Sequence, residues 1–253
     1  MTDTVLSFDR VSVTKGKQAI LKDVSFSLKC GEITALIGRN GSGKTTLLRT
    51  ALGIQGASGN ITVGGIPLSL LSPRSRARRI GLMPQFLPTS ELPLYDFVML
   101  GRMAHASLFA APSKEDHESV SRALSCALLS DMHNRRVSSL SGGERTRAFI
   151  ALLLSQAPPL LLMDEPTAFL DAPARKAFYA TLRRLVAVEG KSILTVMHDV
   201  GDALTLADRV LVLDEGRLIF DGTPARCVEE NVPARIFSLE KHTSMESGRL
   251  FFE

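Results

Sequence analysis

"EITALIGRNGSGKTTLLRTALG", residues 32–53, decides the fold. Its first residues form an almost unbroken apolar run, the pattern of a central strand buried on both faces. The run stops in glycines, and the leucines of "TTLLRTALG" then recur at helical spacing until Gly53 closes the segment. Strand, glycine loop, helix is the context that turns "GRNGSGKT" (38–45), a complete G-x-x-x-x-G-K-[ST] match, into a phosphate cradle. In the loop Gly38-Arg39-Asn40-Gly41-Ser42-Gly43, the glycines permit positive φ. Backbone N–H groups from Asn40 to Thr46 can then curl around a β-phosphate. Lys44 bridges the β- and γ-phosphates in such a loop, and the Thr45 hydroxyl ligates Mg²⁺.

Outward from this stretch the periodicity changes twice. The first thirty residues alternate apolar and polar ("VLSFDRVSV", then "DVSFSL"), the period of half-buried antiparallel strands. From about Phe86 to Gln156 strand-like runs vanish, and "YDFVMLGRM", "HESVSRALSCALLS" and "ERTRAFIALLLSQ" all read as helices. "PLLLMDEP", "SILTVMH" and "RVLVLDEGRLIFDG" return to strands, the first two separated by the helical "PARKAFYATLRRLVAVEG". Strands alternating with helices around one glycine loop predict an α/β fold. The expected form is a P-loop NTPase core with a mostly parallel sheet, N-terminal antiparallel strands and a helical subdomain insertion. The expected bounds are 1–85 and 157–223 for the core, 86–156 for the helical subdomain and 224–253 for a tail.

The 253 residues are 45% hydrophobic and 22% charged with a net charge of +4, an ordinary globular composition with a mild basic bias. No block of lysine or arginine stands out; "PRSRARRIG" (73–81) comes nearest, is short, and leads into an apolar run. The 3 cysteines, Cys30, Cys126 and Cys227, are far apart and in no metal-ligand spacing. They point to a reducing compartment, without disulfides or zinc. "MTDTVLSFDR" has neither the charged n-region nor the apolar h-region of an export signal. The longest apolar tract, 148–163, is broken by Ser155, Gln156 and the Pro158–Pro159 pair and is too interrupted to span a bilayer. Any membrane role is therefore expected to run through partners.

Two further stretches carry chemistry. "LLLMDEP" (160–166) is an apolar strand ending in adjacent carboxylates. At a strand's C-terminal edge the chain turns, so both can border one crevice, Asp164 holding Mg²⁺ through its water shell and Glu165 polarising an attacking water. A lone "DE" is commonly two solvated acids; a preceding apolar strand and a phosphate loop in the same chain favour the catalytic reading. Ser141-Gly142-Gly143-Glu144 satisfies the S-x-x-E capping box and marks a helix start. Capping does not ask for two glycines inside the first turn, where each costs about 1 kcal/mol relative to alanine. A γ-phosphate bonded by the Ser141 hydroxyl and the Gly143 N–H accounts for both features.

Together, "GRNGSGKTT", "LSGGE", "LLLMDEPT", Leu170-Asp171 and the histidine of "ILTVMHD" resemble an ATP-binding cassette (ABC) ATPase, from the N-terminal strands to about Thr223. A P-loop enzyme of another class shares the first and third motifs but not "LSGGE". The resemblance implies ATP and Mg²⁺ as cofactors and a homodimer facing head to tail. ATP is then sandwiched between the loop at 38–46 of one subunit and "LSGGE" of the other. The resemblance also implies roles by position. Gln85, ending "IGLMPQ", is the Q-loop glutamine that senses Mg²⁺ and links the core to the helical insertion. Asp171 is the D-loop aspartate across the dimer interface, and His198 is the switch histidine touching the γ-phosphate. The implied catalytic set is Lys44, Gln85, Glu165 and His198, with Thr45, Gln85 and Asp164 at the metal. Three positions depart from the family pattern: Lys15 stands where an aromatic ring often stacks on adenine, Phe169 where a small residue is usual, and Thr146 where glutamine is common.

One cassette with no membrane span resembles the separate ATPase subunit of a bacterial importer. That implies a peripheral place on the cytoplasmic face of the inner membrane, integral permease subunits as partners, a substrate-binding protein as an indirect one, and no nucleic acid. "RARRIGLMPQ" followed by "DFVMLGRMAH" is similar to the subgroup serving iron–siderophore, haem and cobalamin uptake. Zinc and manganese importers share much of the same middle region and are the runner-up cargo class. Cassettes acting on DNA or ribosomes usually carry coiled-coil insertions, zinc hooks or a second cassette, and this chain has none.

Overall fold

The computed structural model describes residues 3–106, 111–168, 170–237, 241–243 and 250–252. Along the chain, β1 (Thr4–Lys15), β2 (Gln18–Lys29) and β3 (Ile33–Ile37) lead into α1 (Lys44–Ala51), β4 (Ser58–Val63) and β5 (Ile66–Pro67). Next come α2 (Pro73–Ala77), β6 (Ile80–Met83), α3 (Leu94–Met99), α4 (Lys114–Cys126), α5 (Gly142–Gln156) and β7 (Leu160–Asp164). After α6 (Ala172–Glu189) follow β8 (Ser192–Val196), α7 (Val200–Leu206), β9 (Arg209–Asp214) and β10 (Arg217–Gly222). The chain closes with α8 (Pro224–Glu229), α9 (Val232–Phe237) and the short pair β11 (Lys241–Thr243) and β12 (Leu250–Phe252). These elements fall into two compact units, residues 1–70 with 181–253, and residues 71–180.

The first unit carries two sheets. One is antiparallel, ordered β2-β1-β4-β5, as the period-2 alternation of the N-terminus predicts. Phe8 pairs with Phe26, and their rings stack at 4.8 Å inside it. Between the pairs Phe8↔Phe26 and Val11↔Val24 one extra residue bulges from β1, with Arg10 at φ 50. The bulge resets the alternation so that Val11 and Val13 still face inward. In the other sheet β3 lies between β8 and β9, parallel to both, while β10 returns antiparallel to β9. Every residue of β3 and β8 is buried, the consequence of covering a parallel strand on both faces. Arg209 grips the hairpin: its guanidinium donates to both oxygens of Asp221, at 2.6 and 2.7 Å, and to the Ser27 carbonyl of β2 at 2.6 Å.

In the second unit β6 and β7 run parallel, with Met83 opposite Met163. Its helices bury Phe97 against Phe149, edge to face at 5.1 Å. Arg102 donates to Asp116 at 2.7 Å and to the Ser155 carbonyl at 2.9 Å, all three buried. Gly101 sits where a Cβ would stand 2.1 Å from the Ser155 hydroxyl, so only glycine lets this turn approach α5.

One expected helix is shorter than its sequence suggests. "HESVSRALSCALLS" reads as helical to its end, but α4 stops at Cys126. Leu128 takes the left-handed conformation (φ 56), its N–H donating to Ser125 and the N–H of Leu129 to Leu124. That is a Schellman ending built on leucine instead of glycine. It leaves Leu128 exposed and turns Leu129 into the core, which offsets the strain. No helix among the described residues is long and apolar enough to cross a membrane.

Candidate functional site

In the first unit the phosphate-type loop grows out of β3. A Cβ on Gly38 would lie 2.1 Å from the Leu213 carbonyl, so the loop leaves the sheet by pressing its backbone on β9. Gly43 follows at φ 107 as N-cap of α1, whose first turn has neither a side-chain cap nor an acidic residue. Gly43 has no side chain with which to cap that turn. The Lys44 ammonium is buried and donates to the Gly38 carbonyl at 2.8 Å and the Arg39 carbonyl at 3.0 Å. The Ser42 hydroxyl is buried without a hydrogen-bond partner among the described residues. A buried cation, a glycine-capped helix start and a buried hydroxyl without a partner among the described residues, all on one loop, fit an anionic group with several acceptor oxygens. Thr45 is exposed at the helix start and Thr46 half-buried behind it.

The parallel register fixes His198 at the same sheet end. Leu36 pairs with Val196, and the Met197 N–H donates to the Leu36 carbonyl at 3.1 Å. Two residues further on, His198 emerges level with Gly38, exposed, and Asp199 caps α7 through the Asp202 N–H at 2.8 Å. Lys15 ends β1, exposed. Phe8 and Phe26 are buried in their own sheet and offer no face to an adenine ring.

In the second unit the same logic brings Gln85 to Glu165. Each lies two residues past the Met83↔Met163 pair, and the Gln85 amide donates to the Glu165 carboxylate at 2.6 Å. A carboxylate only accepts, so the amide nitrogen faces it and the Gln85 carbonyl oxygen is turned to other donors or a cation. Glu165 itself sits at φ 50, where the chain turns sharply out of β7; Asp164, half-buried, is the last strand residue. Asp171 lies beyond that turn and accepts from the Ala174 N–H at 2.8 Å, capping α6. Phe169 lies outside the described residues.

Ser141 is the N-cap of α5, and the capping box closes in both directions. The Ser141 hydroxyl accepts from the Glu144 N–H at 3.3 Å, and the Ser141 N–H donates to the Glu144 carboxylate at 2.8 Å. These bonds hold the Glu144 carboxyl below its usual range. Nothing among the described residues requires the two glycines inside the box to be glycine. Neither has positive φ, and a Cβ on either would meet nothing within 4 Å. Gln85, Phe86, Gly142, Arg145, Thr146 and Leu170 line one cavity of about 250 Å³, so the glutamine turn and the start of α5 border a single space. Among the described residues no cluster of three or more His, Cys, Asp or Glu could hold a metal ion on its own. The oxygens expected at Mg²⁺ are the Thr45 hydroxyl in the first unit and the Gln85 carboxamide and Asp164 carboxylate in the second, each a hard donor of the kind Mg²⁺ takes. The sequence contains no local signal of the Gln85–Glu165 bond; it emerges only once β6 and β7 are in register.

A sequence profile described as "ABC transporter" matches residues 21–168. The petrobactin import ATP-binding protein FpuC of Bacillus anthracis is 34% identical over 98% of this chain and 92% of its own length. The hemin import ATP-binding protein HmuV of Burkholderia thailandensis is 35% identical over 92% of this chain and 93% of its own. The manganese transport system ATP-binding protein MntB of Bacillus subtilis is 34% identical over 98% and 94%. Among solved structures, an inward-facing metal-chelate type ABC transporter superposes with a TM-score of 0.85 at 26% identity, over 100% of this chain and 96% of that one.

Proposed function

The chain belongs to the ABC transporter family, and from that premise we propose that it is the ATP-hydrolysing subunit of an importer for ferric siderophores or haem. The cargo class rests on the relatives just described, which import petrobactin and hemin, with the manganese protein as the competing one. The observation that carries the ATPase reading is the open glycine pair at the start of α5. Gly142 and Gly143 destabilise their own helix and relieve no crowding among the described residues. A group from outside the chain must come close to that backbone. The γ-phosphate of ATP held by a second copy is such a group, so the active form is a homodimer with shared sites.

In that form Lys44 and the N–H groups of residues 40–46 bind and orient the phosphates, and Ser141 and Gly143 of the opposing copy close on the γ-phosphate. Glu165 accepts a proton from the attacking water, and Gln85 holds that carboxylate in place. His198 donates to the γ-phosphate, and Asp171 spans the subunit junction. Thr45, Gln85 and Asp164 would hold Mg²⁺, which when bound would supply charge neutralisation at the phosphate oxygens. Exposed Phe86 and Met103 on the helical part, 86–156, offer an apolar surface to an integral permease at the cytoplasmic face of the membrane.

The test is uptake in a strain lacking this chain, with ferric siderophore, haem and manganese supplied separately. Loss of chelate or haem uptake alone supports the reading. Loss of manganese uptake alone moves it to the cation class, and loss of none overturns an importer role.

A further inference from the structure

The tail of the chain reaches the phosphate loop. The Arg39 Nε–H donates to the Ile236 carbonyl at 2.6 Å. Ile236 lies in the last turn of α9, where carbonyls have no donor from their own helix, and a cation is favoured by the helix dipole. The same residue carries the other grip on the loop: the Arg39 carbonyl accepts from the Lys44 ammonium at 3.0 Å. Arg39 thus stands between the buried lysine and the C-terminal helices, its backbone serving one and its side chain the other.

Those helices are anchored. Thr223 caps α8 by accepting from the Arg226 N–H, and Pro224 opens it. Arg226 lies over the Phe220 ring at 5.5 Å and pairs with Glu230 at 2.7 Å. Cys227 and Val232 are buried, and Asn231 at φ 52 makes the bend between α8 and α9. The Ile236 carbonyl is therefore held at a fixed place relative to β9–β10, against which Gly38 also presses.

We infer that Arg39 is a positioning residue through which α8 and α9 hold the phosphate loop, so that the tail of the chain sets nucleotide affinity. The inference rests on the loop being the nucleotide site. The bond is exposed to solvent, and a hydrogen bond in that setting corresponds to a change of about 3- to 10-fold in a binding constant.

The test measures ATP and ADP affinity, KM, kcat and thermal melting for the full chain, Arg39→Ala, Arg39→Lys, chains ending at Phe237 or at Glu230, and Arg39→Ala in the chain ending at Glu230. The inference expects Arg39→Ala and loss of α9 to weaken nucleotide binding by the same factor, with no further loss when combined. Arg39→Lys should recover part of the affinity, the chain ending at Phe237 should bind like the full chain, and KM should move while kcat holds. Additive losses, or a chain ending at Glu230 that folds and binds normally, would overturn the tether. Should the chain ending at Glu230 fail to melt cooperatively, Arg235→Pro replaces it. That change removes the Arg235 N–H bond to Asn231 and unwinds the end of α9 while Val232 stays packed. Normal affinity in that variant overturns the inference equally. Failure of the unmodified chain to bind any nucleotide sinks the ATPase reading itself, a distinct outcome.

Discussion

The Gln85 carboxamide and the Glu165 carboxylate meet at 2.6 Å because β6 and β7 end in register, each residue two places beyond a paired methionine. The base proposed for hydrolysis is thus held by a residue 80 positions earlier in the chain. Replacing Glu165 by Gln preserves the size of the group and removes its capacity to take a proton. Turnover should fall about 100- to 10,000-fold, the usual worth of a general base. ATP binding should persist, trapping a nucleotide-bound dimer. Phosphate release and nucleotide retention measured side by side decide this; full turnover would remove Glu165 from the base role.

The glycines of α5 offer a test in which stability and activity move in opposite directions. Alanine at Gly142 or Gly143 meets no steric obstacle in its own chain and suits a helix better. Each substitution should raise folding stability by about 0.5–1 kcal/mol. ATPase activity should drop at least about tenfold, since the added methyl group obstructs close approach to the backbone. A denaturant titration and a rate assay on the same preparations suffice. Unchanged activity in both variants would mean that no group closes on this helix start.

The proposed shared site predicts complementation. Mixing Lys44→Ala subunits with Ser141→Arg subunits puts both defects in one composite site and leaves the other whole. Mixed dimers should enclose close to one ATP that resists washing out, whereas dimers of either parent enclose none, the intact loop of Ser141→Arg binding ATP only exchangeably. Isotope-labelled ATP bound per dimer is the readout, and mixtures no better than the parents would refute sharing.

Acid should loosen the second unit. Arg102, then the Ser113 N–H and hydroxyl, hold the Asp116 carboxyl down at about 2, against 3.8 for an unperturbed aspartate. A carboxyl with a lowered folded-state pKa adds stability above its unfolded value, and that stability disappears as pH falls from about 4 through 2. Asp116→Asn should flatten this part of the stability curve. Arg102→Ala should cost about 3–5 kcal/mol at neutral pH, because it leaves a buried carboxylate unpaired. Urea unfolding midpoints at pH 7, 4 and 2.5 report both effects.

Where a feature depends on local pattern, it is legible in the sequence. The alternation of β1 and β2, the apolar run of β3, the glycine loop and the S-x-x-E start of α5 all appear where periodicity and motif put them. The Leu128 ending of α4 is not legible, because its left-handed residue is a leucine and carries no glycine signal. Neither is the Arg102–Asp116 pair, whose members belong to separate helical turns that meet only on packing. The tail helices α8 and α9 have six residues each and few buried positions, too little for a period to show. Tertiary register, not local propensity, also creates the Gln85–Glu165 bond.

The unfilled space around Gly142 and Gly143 also bears on kinetics. Under the proposed shared site, a second copy completes this helix start, and catalysis is then bimolecular in protein. Specific activity should then rise with enzyme concentration and level off only when most chains are paired, while dilution alone silences the enzyme without unfolding it. Under the same proposal, tethering two copies to one membrane assembly would raise their effective concentration and remove that dependence. Assembly, and not expression level, then governs when ATP is consumed.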